Sequence, residues 1–181
     1  MRFPTSFLSS LATGAIRSIV LPVMSSQPAP GEKAPSFTVA AIGGAYKEPT
    51  IVSLADFLGQ PVVLYFYPKD DTPGCTKQAC ALRDGWQEIS QKAQVFGVSI
   101  DSIKSHGKFL KKHSLPFALL SDEDHAMVEN YGVWVEKSMY GKTYMGTERT
   151  TFVIDAQGNI KAVLPKVKPD EHFAQVLEVL G

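Results

Sequence analysis

The chain has 181 residues, 44% apolar and 20% charged, and its eighteen basic and eighteen acidic side chains cancel to a formal net charge of zero. Such a composition suits a folded domain with a sizeable core, and the charge balance excludes both the basic footprint of a nucleic-acid binder and a polybasic membrane patch. Two cysteines are too few for a disulfide scaffold, so their use is chemical rather than architectural.

Residues 1–30 differ in composition from the rest of the chain. They carry Arg2 and Arg17, many Ser and Thr, and no acid before Glu32, which is the bias of a targeting peptide. Arg17 interrupts the apolar stretch "LATGAIRSIVLPVM", and no run approaches the ~20 apolar residues of a spanning helix. An organelle presequence and a translation start at Met24 remain as alternatives. Residues 1–30 are therefore set apart as a disordered, alternative-start or targeting extension, and one domain is expected over 31–181. Its expected location is the cytoplasm, with organelle targeting as the alternative.

Within that domain, Ser53 reads as the cap of a short helix in "LADFLG" that Gly59 stops. "PVVLYFY" (61–67) is an unbroken apolar run of branched and aromatic residues, the pattern of a strand buried on both faces. A helix is predicted from Thr72 to about Ser90, a strand at "QVFGVSI" (94–100) and a helix over 102–114. "DEDHAMVENYG" (122–132) opens on acids and closes on Gly, as helices tend to. "TTFVI" (150–154) is a further strand, joined to another by the turn "DAQGNI" (155–160). "PDEHFAQVLEVL" (169–180) carries Phe173, Val176, Leu177 and Leu180 at helical spacing. Alternating strands and helices, then a hairpin and a closing helix, predict an α/β domain of thioredoxin-like architecture: a central mixed sheet flanked by helices.

Both cysteines fall in "KDDTPGCTKQAC" (69–80). Thr72 suits the N-cap and Pro73 the first helical position, which puts Cys75 in the first turn. There the backbone donors lack intrahelical acceptors and the macrodipole is positive, so a thiolate is favoured. Cys80, five positions on, is about 140° around the helix and about 8.7 Å away between Cα atoms. A disulfide spans at most roughly 7 Å, so the two sulfurs meet only if the helix unwinds. Cys75 aligns with Ala79, Leu82, Trp86 and Ile89 on the core-facing stripe, whereas Cys80 lies with Arg83, Asp84 and Gln87, where a partner protein reaches it. The bland alternative is a pair of small buried hydrophobes. A zinc site is disfavoured, because the four histidines (His106, His113, His125, His172) form no ligand pattern and read as solvated surface residues. The C-x-x-C of a general dithiol exchanger is absent.

With these residues assembled, the chain resembles the peroxiredoxins, specifically the Q type, also called bacterioferritin comigratory proteins. The pattern P-x-x-x-T-x-x-C stands as Pro68, Thr72 and Cys75, the four-residue spacer to Cys80 matches, and "GTERTTFVID" (146–155) supplies Arg149. "GEKAPSF" (31–37) and "LLSDEDHAMVENYGVW" (119–134) fit the same family, so the resemblance covers about residues 31–181. It implies a thiol peroxidase in which Cys75 attacks a hydroperoxide and becomes a sulfenic acid. Cys80 then condenses with it, and thioredoxin or a similar dithiol restores both thiols. No metal, haem or flavin is implied, nor any nucleic-acid or membrane partner, and a pair within one chain suits a monomer.

Full ionisation of a thiol at neutral pH gains roughly thirtyfold at most, whereas enzymes accelerate by about a millionfold or more. The remainder must come from aligning the peroxide and stabilising charge on the departing oxygen. The resemblance assigns that work to the Thr72 hydroxyl, the Cys75 N–H and the Arg149 guanidinium, with Pro68 shielding the sulfur. Taken alone, Thr72 is also an N-cap, Pro68 a strand end, Arg149 a solvated charge, Trp86 and Trp134 packing residues, and "KSHGKFLKKH" (104–113) a solvated basic face. The competing function is a noncatalytic redox sensor or chaperone-like protein using the same cysteine pair.

Overall fold

The structure, a computed structural model, describes residues 26–181. Strands β1 (Thr38–Gly43) and β2 (Tyr46–Ser53) form a hairpin, followed by a 3₁₀ turn at Leu54–Phe57 and by β3 (Val62–Phe66). Next come α1 (Pro73–Asp84), α2 (Trp86–Ile89), β4 (Gln94–Ser99), α3 (Ile103–His113), β5 (Ala118–Ser121) and α4 (Ala126–Asn130). A second hairpin of β6 (Trp134–Met139) and β7 (Lys142–Thr147) precedes β8 (Thr150–Ile154), β9 (Ile160–Leu164) and α5 (His172–Leu180).

Seven strands make one sheet in the order β2-β1-β5-β4-β3-β8-β9. β3, β4 and β5 run parallel, while β8 joins β3, and β1 joins β5, antiparallel, which gives the mixed sheet the sequence predicts. Alternation along β3 feeds two cores. Val62, Leu64 and Phe66 pack with Phe57, Met127 and Tyr131 on one face; Val63, Tyr65 and Tyr67 pack with Cys75, Ala79, Leu82, Phe109 and Val176 on the other. Every residue of β3 is buried, as its unbroken apolar run requires. The second face, carrying α1, α3 and α5, is the one that holds the cysteines.

Three boundaries depart from the sequence reading. The helix after Thr72 stops at Asp84 rather than Ser90, because Gly85 bends the chain with φ −94° and ψ 13°. A Cβ at residue 85 would lie 2.0 Å from the Phe173 ring, so α5 presses on α1 at a point where any side chain would force that ring to move. α4 is much shorter than 122–132, since the Asp122 carboxylate accepts the N–H groups of Met127 (2.9 Å) and Val128 (2.8 Å) and starts the helix late. Burial pushes that carboxyl up to about 6 despite those two bonds. α5 begins at His172, with Pro169–Glu171 in the preceding turn.

Of the extension expected over 1–30, residues 1–25 lie outside the described residues; Gln27 Nε2 donates to Glu148 Oε2 at 3.3 Å. Among the described residues, no helix is long and apolar enough to cross a membrane.

Candidate active site

The loop between β3 and α1 is held from below by α3. Tyr67 and Ser105 donate to the two oxygens of Asp70 at 2.7 Å each, His106 Nδ1 lies 2.9 Å from the second oxygen, and the Asp70 N–H donates to Asp101 Oδ2 at 2.8 Å. Burial alone pushes the Asp70 carboxyl up, but His106, Tyr67 and Ser105 together outweigh it and hold it below the ordinary range. Asp71 adopts a left-handed φ of 55° and is bound by Lys112 at 2.6 Å and His113 at 2.9 Å. The basic face of residues 104–113 is thus partly a clamp on the cysteine loop. His106 and His172, read from the sequence as solvated, are both fully buried, because each has polar partners inside the fold that replace water.

That clamp delivers the start of α1. Thr76 N–H donates to Thr72 O at 2.8 Å, the first bond of the helix, so the amides of Gly74 and Cys75 precede the ladder and have no acceptor in it. Thr72 occupies the N-cap position, yet its hydroxyl donates to Lys69 O at 3.0 Å instead of capping the helix. Cys75 is 2% exposed, and Arg149, entering from the β7–β8 junction, sets Nη2 3.3 Å from its sulfur. The guanidinium's other arm, Nη1, donates to Gln78 Oε1. Gly74 leaves room for this approach, since a Cβ there would stand 3.3 Å from Arg149 Nη2. The backbone behind the arginine is fixed as well, by Val167 N–H on Arg149 O at 2.9 Å. Pro68 is half-buried at the end of the strand, and Cys80, expected on an open face, is half-buried too. Both thiols are free.

A buried thiol at a helix start, touched by a guanidinium, is an arrangement that activates sulfur. Comparison with known proteins agrees. The AhpC/TSA family model matches residues 30–163. The chain belongs to that family. A protein of Coxiella burnetii named putative peroxiredoxin bcp is 53% identical over 148 residues, covering 81% of this chain and 95% of its own. Peroxiredoxin Bcp of Bacillus subtilis is 45% identical over 151 residues, covering 83% and 93%. Among solved structures, Xanthomonas campestris peroxiredoxin Q superposes with a TM-score of 0.73 at 36% identity, covering 80% of this chain and 89% of that one. A cysteine-to-serine mutant of Xylella fastidiosa PrxQ gives 0.77 at 33% identity, with 86% and 97% covered. This AhpC/TSA member is therefore a peroxiredoxin of the Bcp/peroxiredoxin Q type, a thiol peroxidase of thioredoxin-like fold.

Two polar residues beside this peroxiredoxin's cysteine escaped the sequence reading. Gln78, three positions after Cys75 on the same buried face, is fully buried between Arg149 and His172. His172 bonds Gln78 Nε2 through Nδ1 at 3.1 Å and Thr151 Oγ1 through Nε2 at 2.8 Å. Each breaks an apolar helical stripe with a polar residue, which is the signal that could have found it. Lys137 of β6 is half-buried and donates to Thr147 O; burial and then the neighbouring Arg149 charge lower its pKa.

Burial, reinforced by the Arg149 charge, lowers His172 to about 3. An unfolded histidine titrates near 6.5, so between the two values the unfolded chain binds the extra proton. The stability contributed by neutral His172 is complete above pH 6.5 and is lost as pH falls toward 3. At pH 4 the loss should reach about 3 kcal/mol, an order-of-magnitude figure from about 1.4 kcal/mol per pH unit. Urea unfolding at pH 7 and pH 4 should show wild type losing that much more than His172→Gln. Parallel pH slopes in the two proteins would contradict it.

Proposed function

We propose that Cys75 is the peroxidatic residue and Cys80 the resolving one of a two-cysteine cycle completed within a single chain. The Cys75 thiolate attacks the distal oxygen of a hydroperoxide ROOH, the O–O bond breaks, and the RO⁻ leaving group takes a proton to depart as water or an alcohol. The resulting Cys75–SOH condenses with Cys80–SH, forming the S–S bond and releasing water. An external dithiol of the thioredoxin class then reduces that bond by exchange and is itself oxidised.

The observation that carries this reading is the Arg149 guanidinium at 3.3 Å from a buried sulfur in the first turn of a helix. In the transition state, negative charge moves from sulfur onto the departing oxygen, and the arginine and the free amide of Cys75 are donors beside that path. The Thr72 hydroxyl donates its one proton to Lys69 O, which leaves its lone pairs to accept from the O–H of a hydroperoxide, and Pro68 limits water around the thiolate. Because both sulfurs belong to one helix, no second subunit is required, and the enzyme works as a monomer in a reducing compartment such as the cytoplasm.

The test begins with reduced protein mixed with a slight excess of hydrogen peroxide and followed by Trp fluorescence in stopped flow. Oxidation far faster than that of free cysteine is expected, and peptide mapping of the product should recover residues 75 and 80 linked by a disulfide. Oxidation no faster than free cysteine would leave a sensor rather than an enzyme.

A further inference from the structure

Gln78 lies between the two cysteines, so any unwinding that brings Cys80 to Cys75 must move it. Its hydrogen bonds leave no ambiguity of role. Arginine is donor-only, so the Gln78 atom facing Arg149 is the amide oxygen and the atom facing His172 is the NH₂. His172 Nδ1 must then accept, which makes the ring neutral with its proton on Nε2, donated to Thr151 Oγ1. The depressed proton affinity of this buried ring agrees with that state. A continuous buried chain therefore runs from Cys75 Sγ through Arg149, Gln78 and His172 to Thr151 of β8. All of Gln78, Thr151 and His172 are fully buried, so breaking the chain strands polar atoms away from water.

From this geometry we propose that His172 is a latch: a positioning residue that touches neither sulfur nor peroxide but, through Gln78, holds Arg149 on Cys75 and holds the Cys75–Cys80 segment wound. The proposal rests on the cycle assigned above to the two cysteines. It follows that one side chain on α5 acts in opposite directions on two successive steps. A tight latch favours the peroxide reaction, in which Arg149 must be on the sulfur. It opposes the next step, Cys75–SOH + Cys80–SH → Cys75–S–S–Cys80 + H₂O, which needs the helix open. While the helix stays wound, a second peroxide competes by the reaction Cys75–SOH + H₂O₂ → Cys75–SO₂H + H₂O, which takes the enzyme out of the cycle. His172 thereby sets how much peroxide the enzyme withstands.

His172→Phe keeps an aromatic ring where His172 now packs 5.6 Å from Tyr65 between ring centroids, but it removes the acceptor for Gln78. His172→Gln restores an acceptor and a donor. In stopped-flow mixing with hydrogen peroxide, the Phe variant should show a first phase slowed about fivefold and a disulfide-forming second phase accelerated about tenfold. Mass spectrometry after turnover with dithiothreitol should place half-conversion to the sulfinic acid at about tenfold higher peroxide. The Gln variant should fall within about twofold of wild type in all three. A purely structural role for His172 predicts a smaller active fraction with both rate constants unmoved, and that result, or the two phases slowing together, overturns the latch. If the Phe variant does not fold, Thr151→Val removes the partner of Nε2 from the far end of the chain. It should shift the two phases in the same opposed directions, and no opposed shift there overturns the latch equally. Wild type run in parallel separates the levels: a wild type without a 75–80 disulfide refutes the cycle itself, whereas a cycling wild type with an indifferent His172 refutes the latch alone.

Discussion

Cys75→Ser is expected to abolish peroxide consumption, and Cys80→Ser to stop after a single event. Serine at residue 75 retains the shape and the Arg149 contact but replaces sulfur with a hydroxyl oxygen, a far weaker nucleophile toward a peroxide. Loss of an enzymic nucleophile lowers turnover by roughly 10⁴- to 10⁶-fold, which here means a return to the solution background. With Cys80 removed, Cys75 and Arg149 are both intact, so one equivalent of peroxide should disappear at the wild-type rate. The protein then holds a sulfenic acid with no thiol in reach, and turnover resumes only if a small external thiol is added. Peroxide remaining in quenched samples, with mass spectra of the stalled protein, reads all of this. Equal loss of the first event in both variants would reverse the idea that the two sulfurs have separate roles.

The local geometry behind that expectation is legible in the sequence. Helix spacing alone separates residues 75 and 80 beyond disulfide reach, and Thr72-Pro73 fixes where the helix begins. The runs at 61–67, 94–100 and 150–154 became β3, β4 and β8, since continuous apolar strands are visible without knowing their neighbours. What stayed hidden depends on contacts distant in sequence. The β6–β7 hairpin alternates too weakly to stand out, as most of its residues are exposed on both faces. The need for a small residue at position 85 comes from Phe173, a residue of α5. Burial of His106 and His172 is likewise decided by Asp70, Gln78 and Thr151, and a histidine in a charged or amphipathic stretch looks the same whether its partner is water or a buried amide. Arg149, 74 positions from Cys75, was tied to the site only through the family resemblance.

Replacing that arginine should separate charge from scaffold. Arg149→Met keeps a long unbranched chain in the half-buried slot between β7 and β8 but removes both arms of the fork. Removing one preorganised donor at a developing charge costs an enzyme about 10²–10³ in rate, and the first-phase rate constant with hydrogen peroxide should fall by that order. Arg149→Lys restores the charge but not the fork: one ammonium cannot match in geometry a pair of donors aimed separately at Cys75 Sγ and Gln78 Oε1. Lys should therefore recover only part of the loss. Because Gln78 Oε1 is left without its donor in the Met variant, some stability goes as well, by about 1–3 kcal/mol. Urea titration of the reduced proteins measures that part separately from the kinetics. A Met variant that loses stability while oxidising at the wild-type rate would mean that the arginine braces the helix and contributes nothing to the chemistry.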